Sequence, residues 1–395
     1  MASTRDRLSR LFNPRIEAVG LEVGTANLKV VELRAGVPPG LATLAVRAMP
    51  PGLVQEDQVV DPQGLAEEIK ALFDEAGISK RFVVTAVGNR QAITRNINVP
   101  KMSLQELDEA IKWEAERYIP FAIDEVVLDY YVLDNPEDVE EGGQLEVVIA
   151  AARLDLVTQQ VEYLKLAGLE PVVIEVKPFS LLRSLKGALL GEHLTKTTLT
   201  GKGYTEGNEV GVVLDIAASS TTITLVRGER VLMNRNVGVS GDDFTAALQR
   251  AFGLDFDSAE EVKLDYGTAT IPTEDEEELL NFDAKREQFS PSRVYEALRP
   301  PLVDLTTEIR RSLEFFRVQT GDATIARMLA TGGGAKLRGL PDAIGDALGV
   351  RVEVADPWLS VTVDERQFDE QYLAKIGPEF GVPLGLALRG VSGLD

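Results

Sequence analysis

One short pattern occurs twice in this chain, about half a chain apart, and no other feature restricts its folding so strongly. Val19–Leu33 reads VGLEVGTANLKVVEL, and Val212–Val226 reads VVLDIAASSTTITLV. In each, an apolar strand ends in an acid, Glu22 or Asp215, then passes through small residues into a second apolar strand. Two apolar runs joined by so short a turn predict an antiparallel hairpin. A turn of small residues lets backbone N–H groups and hydroxyls approach an anion closely. An acid beside it can hold Mg²⁺ through water. Taken alone, either loop is more simply a hairpin turn with an exposed acid. The recurrence is what favours a pair of phosphate-gripping loops.

A third element, Ala330-Thr331-Gly332-Gly333-Gly334-Ala335, follows an apolar strand and precedes the helical spacing Leu337, Leu340, Ile344, Leu348. Three glycines permit positive φ and close approach of a flat or anionic ligand. A plain Gly-rich strand–helix turn is the alternative. The chain has no GxxxxGK[ST] and no GxGxxG after its first strand, which excludes a P-loop and a Rossmann fingerprint.

Between these elements, strands and helices alternate, so the fold class is α/β. Helices are predicted at Pro62–Ala76, closed by Gly77, and at Leu154–Ala167, Leu181–Leu190 and Asp242–Phe252. A long helix runs from Val294 to Phe316, bent near Pro300 and Pro301. A further apolar segment lies at Leu41–Ala48, and strands are predicted at Phe82–Val87, Glu125–Val132, Leu145–Ala151, Leu169–Ile174 and Ile325–Thr331. Ser103 and Glu106 form a capping box, opening a helix whose inner stripe is Leu104, Leu107, Ile111, Ala115 and Tyr118. Trp113 falls opposite that stripe, among glutamates. It either packs on a neighbouring subdomain or serves as a partner-binding aromatic. Thr195–Asn208 reads as a linker, and Glu274–Glu278 as a solvated acidic run.

Composition removes whole classes of chemistry. At 395 residues the chain holds two or three domains or two large lobes. There is no Cys and one His, His193, so disulfides, thiolate nucleophiles, His-based triads and Cys/His metal clusters are excluded. A net charge of −22 argues against nucleic-acid binding. No apolar run is long enough to span a membrane, and the N-terminus lacks the apolar core of a signal peptide. The basic segment 1–15 carries Arg5, Arg7, Arg10 and Arg15, with Leu8, Leu11 and Phe12 on one helical face. It reads as a tail that docks on its own domain or stays disordered, or as a small membrane-surface or partner contact.

Acid, acid and Gly-rich turn, in that order, resemble the phosphate-1, phosphate-2 and adenosine motifs of the actin, Hsp70 and hexokinase superfamily. Two stretches narrow this. Tyr118-Ile119-Pro120-Phe121 runs on into Asp124-Glu125-Val126-Val127-Leu128-Asp129-Tyr130, and Glu308-Ile309-Arg310-Arg311-Ser312-Leu313-Glu314-Phe315-Phe316 precedes the glycine turn. These resemble the PilM family of type IV pilus assembly proteins, relatives of the cell-division protein FtsA, from about Ile16 to Gly390.

The resemblance implies an actin-like (ribonuclease H-like) two-lobed α/β fold with an FtsA-type inserted subdomain 1C. Lobe 1 would be subdomain 1A over residues 16–88 and 170–208, the latter including the linker, with 1C at 89–169. Lobe 2 would be 2A over 209–237 and 301–355, with 2B at 238–300. Residues 356–395 would return to 1A. ATP with Mg²⁺ would sit between the lobes. Gly24, Thr25, Ala26, Asn27 and Lys29 would meet phosphates from one side, and Ser219, Ser220 and Thr221 from the other, with Gly241 close by. Glu22 and Asp215 would hold Mg²⁺ through water. Glu260 and Lys263, in the pattern AExxK, would meet ribose or adenine, although by themselves they read as a solvated helix pair. Gly332, Gly333, Gly334 and Lys336 would line the nucleoside. The implied role is a cytoplasmic adaptor, peripheral at the inner membrane through its partner. It would bind the N-terminal tail of PilN between 1A and 1C, with Trp113, Tyr118, Pro120 and Phe121 near that groove. PilO, PilC and the motor ATPases would follow indirectly, and weak self-association is a further expectation.

Three departures bear on the chemistry. Glu22 stands where actin-like proteins usually carry Asp. Ala217 stands where the second loop usually has Gly, and its Cβ restricts φ and backbone approach. Lys177 precedes Pro178 where hydrolytic relatives carry a Glu or Gln that orients water. A charged lysine cannot take a proton from water, so the expectation is ATP held without appreciable turnover. An FtsA-like polymerising protein, a superfamily ATPase or sugar kinase, and the type II secretion counterpart are the competing assignments.

Overall fold

The computed structural model describes residues 17–55, 58–88, 90–190, 209–228, 230–273, 289–320 and 324–392. The basic segment 1–15, His193, the linker at 195–208 and the acidic run 274–278 lie outside the described residues. The described residues fall into two compact units. One lies within Met1–Lys186, Pro357–Glu370 and Phe380–Asp395, the other within Gly187–Asp356 and Gln371–Glu379.

The first stretch of chain comprises β1 (Val19–Val23), β2 (Asn27–Arg34), β3 (Gly40–Ala48), the short β4 (Val54–Gln55) and β5 (Gln58–Val59), α1 (Pro62–Glu75), β6 (Phe82–Val87), β7 (Ala92–Pro100), α2 (Leu104–Ala115), β8 (Val126–Val132), β9 (Gln144–Arg153), α3 (Leu154–Leu166), β10 (Glu170–Val176) and α4 (Lys177–Leu190). The second comprises β11 (Glu209–Ile216), β12 (Thr221–Arg227), β13 (Arg230–Val237), α5 (Gly241–Phe252), α6 (Phe256–Tyr266), α7 (Pro291–Thr320), β14 (Thr324–Thr331), α8 (Leu340–Leu348), β15 (Val352–Val354), α9 (Glu370–Ile376) and α10 (Gly381–Ser392).

The sequence repeat is a structural repeat. The first unit holds a five-stranded sheet ordered β10-β6-β1-β2-β3, and the second holds one ordered β13-β12-β11-β14-β15. In both, the acid-bearing strand begins an antiparallel meander on one side. On its other side it pairs with one parallel strand, β6 or β14, which in turn pairs in parallel with the edge strand, β10 or β15. Each acid therefore stands on the central strand of its sheet, where side chains alternate between the two faces.

In the first sheet, Val19 and Leu21 of β1 face a core with Leu65, Ile69 and Leu72 of α1 and Leu164 of α3. Gly20 and Glu22 point to the opposite face. There Gly20 lets α10 come so close that a Cβ would stand 2.2 Å from Pro383 O. The run Phe380–Leu388, which leads into and forms most of that helix, is buried throughout. The second sheet packs Val210, Val212, Leu214 and Ile216 of β11 against Phe244 and Leu248 of α5 and Leu298, Leu305 and Ile309 of α7. Helix α7 runs unbroken through Pro300 and Pro301, although each proline withdraws one backbone donor.

A third sheet, ordered β7-β9-β8, has its own core of Ile97, Val99, Leu145, Val147 and Ile149 under α2. The Ser103/Glu106 capping box forms as expected. The expected stripe holds at Leu107, Ile111 and Ala115 but fails at both ends. Leu104 and Tyr118 are exposed, and Ile119 takes the inner position. The helix stops at Ala115, whose carbonyl accepts from both Tyr118 and Ile119 N–H. That tight turn advances the inward position by one residue. Among the described residues no helix is long and apolar enough to cross a membrane.

Candidate functional site

The two turns have the same backbone geometry. Gly24 N–H donates to Asn27 O at 3.0 Å, and Ala217 N–H donates to Ser220 O at 3.0 Å. The strands are in matching register, Glu22 opposite Lys29 and Asp215 opposite Thr222. Gly24 does not adopt a positive φ, so this turn places no left-handed demand on its first residue. The restriction expected from Ala217 therefore does not break the turn. The asymmetry lies in charge, because Thr222 stands where the first loop has Lys29, and its hydroxyl donates to Asn236 Oδ1 at 2.8 Å.

Around Glu22 the first unit builds a compact charged cluster. Lys29 reaches across from β2 to Glu22 Oε2 at 3.3 Å, and Lys177, first residue of α4, reaches Oε1 at 2.9 Å. The side chains of Lys29, Lys177 and Glu22 are only 12%, 14% and 9% exposed. Burial by itself would push the Glu22 carboxyl up. The Lys177 and Lys29 ammoniums outweigh it and hold the group at about 2. Thr25 and Asn27 in the adjoining turn are half-buried and Ala26 is exposed. The Ala26 carbonyl accepts from Met49 N–H.

In the second unit the structure brings most of the predicted residues together. Asp215 lies opposite Thr331 on β14 and directly against the Gly-rich turn. Gly332 has φ +85°, and a Cβ there would come within 2.7 Å of Asp215 Oδ1 and 2.4 Å of Ile216 O. A Cβ on Gly334 would meet Ile216 Cγ2 at 2.4 Å, whereas Gly333 faces open space. Gly241 N–H donates to Ala217 O and Asp242 N–H to Ala218 O, both at 2.9 Å, which ties the second turn to the start of α5. Ser219 and Ser220 are half-buried. Thr221 lies beneath them, its buried hydroxyl without a hydrogen-bond partner.

Glu260 and Lys263 are not a solvated pair. Lys263 Nζ binds Glu260 Oε2 at 2.6 Å, Thr245 Oγ1 at 2.8 Å and Gly241 O at 3.1 Å, with its side chain 13% exposed. Thr245 also donates to Glu260. The pair is thus fastened to the first turn of α5, beside the second loop. Lys336 forms an ion pair with Glu379, while Pro378 O accepts from Gly332 N–H and the Thr331 hydroxyl. Sequence reasoning missed Thr245, Pro378 and Glu379. Thr245 had a faint signal in its i+4 spacing from Gly241, but Pro378 and Glu379 had none.

In each unit these groups suit a phosphorylated ligand. The first unit offers the ammoniums of Lys29 and Lys177; the second offers the Ser219 and Ser220 hydroxyls and the orphaned Thr221 hydroxyl, whose burial without a partner costs about 1–3 kcal/mol. Among the described residues no three His, Cys, Asp or Glu side chains come together as a metal-binding group.

A second candidate surface lies on the three-stranded sheet's side of the first unit. Trp113 is 71% exposed, so it packs against no neighbouring subdomain. Tyr118, Pro120 and Phe121 are exposed as well, as are Val127 and Tyr131 on β8.

Comparison with known proteins places this geometry. A solved PilM-PilN type IV pilus biogenesis complex contains a chain 46% identical to this one, at TM-score 0.81, with 96% of this chain and 99% of that chain covered. The ethanolamine utilization protein EutJ of Carboxydothermus hydrogenoformans, 16% identical at TM-score 0.53 over 94% of this chain and 89% of its own, shares the fold. Cell division protein FtsA of Agrobacterium fabrum is 25% identical over 209 residues, 49% of this chain. Cell shape-determining protein MreB of Pasteurella multocida is 25% identical over 191 residues, 45% of this chain. The chain spans about half the length of these curated relatives, 47% and 52% respectively. The fold is actin-like. The profile of the type IV pilus assembly protein PilM family matches residues 20–391, and the chain belongs to that family.

Proposed function

We propose that the chain is an ATP-binding adaptor of the type IV pilus assembly platform, held at the inner face of the cytoplasmic membrane through its partner. The carrying observation is the duplicated turn, the same N–H···O closure at Gly24 and Ala217, each beside a buried acid. The Gly24–Lys29 turn and Ser219, Ser220 and Thr221 hold phosphate oxygens. Gly241, Glu260 and Lys263 hold the ribose or adenine side, and Gly332, Gly333, Gly334 and Lys336 line the nucleoside. Mg²⁺ bound with the nucleotide neutralises phosphate charge, and Glu22 and Asp215 would meet its water shell.

The nucleotide is held rather than turned over. Lys177 donates to Glu22, and an ammonium in that place cannot act as a general base. The test is the full chain with Mg-ATP. ATP binding should raise the melting temperature, by the equivalent of about 2.7 kcal/mol at a hundred times Kd, while phosphate release stays at background. No shift with ATP overturns the nucleotide assignment. Steady phosphate release that disappears in Lys29→Gln overturns the holding role.

The partner is the N-terminal cytoplasmic peptide of a PilN protein, with PilO, PilC and the motor ATPases reached indirectly. Support comes from the exposed patch Trp113, Tyr118, Pro120 and Phe121 in a chain related to one solved as a PilM-PilN complex. The chain has two tryptophans, and Trp358 is buried. A peptide covering Trp113 should therefore blue-shift the exposed fluorophore alone. Trp113→Ala should weaken the peptide by about 2 kcal/mol or more. Unchanged affinity in that variant removes Trp113 from the interface.

A further inference from the structure

The family resemblance assigns Glu260 and Lys263 to the nucleoside as a pair, but only one of them has an atom to spare. Lys263 Nζ lies against three oxygens, Glu260 Oε2 at 2.6 Å, Thr245 Oγ1 at 2.8 Å and Gly241 O at 3.1 Å. An ammonium carries three donors, and these three acceptors occupy them. The Lys263 side chain is also only 13% exposed. Turning a donor towards a ligand would strip an acceptor that water reaches poorly, and such a loss is costly.

Glu260 is in the opposite situation. Its Oε2 takes both the Lys263 ammonium and the Thr245 hydroxyl. Among the described residues no group donates to Oε1, and the side chain is 32% exposed. Thr245 is fully buried. Its hydroxyl accepts from Lys263 and has one hydrogen to give, with Glu260 Oε2 at 2.5 Å against 3.3 Å for Gly241 O. A glutamate left alone samples many rotamers. This one is fixed by two partners on the same oxygen, which leaves the other oxygen free.

The chemistry of that free atom limits what it meets. A carboxylate paired with an ammonium only accepts, so its ligand must bring a hydroxyl or amino hydrogen and cannot be a phosphate oxygen. Gly241 shows which end of a nucleotide is near. Its carbonyl accepts from Lys263, and its N–H donates to Ala217 O in the second loop. Glu260 is thus joined through Lys263 and Gly241 to the loop assigned to the phosphates, and the part of a nucleotide next to its phosphates is the sugar.

We propose that Thr245 and Lys263 are positioning residues that aim one oxygen of Glu260 at a ribose hydroxyl, and that Lys263 itself touches no part of the nucleotide. This rests on the ATP-binding role proposed above and narrows it. Glu260 is the one ligand contact of the pair, and the ligand class is a ribonucleotide rather than a deoxyribonucleotide.

The test compares ATP with 2′-deoxy-ATP and 3′-deoxy-ATP on the full chain by calorimetry, with Mg²⁺ throughout. The parent chain should bind ATP about tenfold or more tightly than one of the analogues, as expected for a hydrogen bond to a charged group. Thr245→Val removes a hydroxyl that is too deeply buried to meet a ligand, and should bring that ratio close to unity. Thr245→Ser should restore most of it. Lys263→Met should collapse the ratio in the same way. Equal binding of ATP and both analogues by the parent chain overturns the sugar contact. A ratio unchanged in Thr245→Val or in Lys263→Met overturns the positioning roles. In Lys263→Met, ATP affinity lowered at constant ratio is the signature of a lost direct contact. If a variant fails to fold, the parent chain crystallised with Mg-ATP decides. Lys263 still on its three protein oxygens supports the proposal, and Nζ within hydrogen-bond reach of the nucleotide overturns it. A parent chain that binds neither ATP nor its analogues removes the nucleotide assignment itself, which separates that failure from failure of the positioning roles.

Discussion

At Glu22, burial and charge pull in opposite directions, and charge wins. The folded carboxyl is held at about 2 against an ordinary value of 4.5. A depressed folded value means that the ionised form favours the native state. Its contribution is complete above pH 4.5 and is lost as the pH falls towards 2. The difference corresponds to roughly 3 kcal/mol. Glu22→Gln should therefore be less stable than the parent by about that amount near neutrality, because two ammoniums lose their acceptor. The gap should shrink steadily below pH 4.5. Urea unfolding of both chains at several pH values measures it. A gap independent of pH would show that the loss comes from packing rather than from the Glu22 charge.

Among the elements, α10 depends most on atoms that are absent. A Cβ on Gly385 would stand 1.8 Å from Ser180 O, in backbone that cannot yield cheaply. Gly385→Ala should lower stability by about 1–3 kcal/mol or more through overpacking. Gly333→Ala, whose Cβ meets nothing within 4 Å, should leave the urea midpoint in place. The sequence marked Gly24–Lys29 as a small-residue turn, because that is a property of consecutive residues. Strand β7 was not legible. In Ala92–Pro100 the inward residues Ile97 and Val99 alternate with Asn and Arg, and the run ends in proline, a combination that resembles a loop. Strand β13 was hidden in the same way by Arg230, Asn234, Arg235 and Asn236. Helix α6 buries only Ala259 and Val262, too narrow a stripe to announce itself. The site divides along the same line. Acids, hydroxyls and glycines were found where they cluster in sequence. The Lys177–Glu22 pair spans 155 positions, and no local pattern encodes a contact at that separation.

At the scale of the whole molecule, the proposed nucleotide site sits in a chain with a net charge of −22. Long-range field and local site then act in opposite senses on an anionic nucleotide. Encounter is governed by the field at distances of a Debye length or more, about 30 Å at 0.01 M salt and about 8 Å at 0.15 M. Over that range the acidic surface repels ATP, so screening should speed association. Dissociation is governed by short contacts such as that with Lys29, which is largely shielded from salt by its burial. Stopped-flow binding should accordingly show an association rate that rises between low and physiological ionic strength, with a nearly constant dissociation rate. Free ATP should be affected more than Mg-ATP, since the metal cancels part of the charge that is repelled. Lys29→Gln should raise the dissociation rate without altering the salt slope of association. An association rate that falls with salt would mean that the local positive charge reaches further than the acidic surface, and that nucleotide is steered into the site rather than admitted against the field.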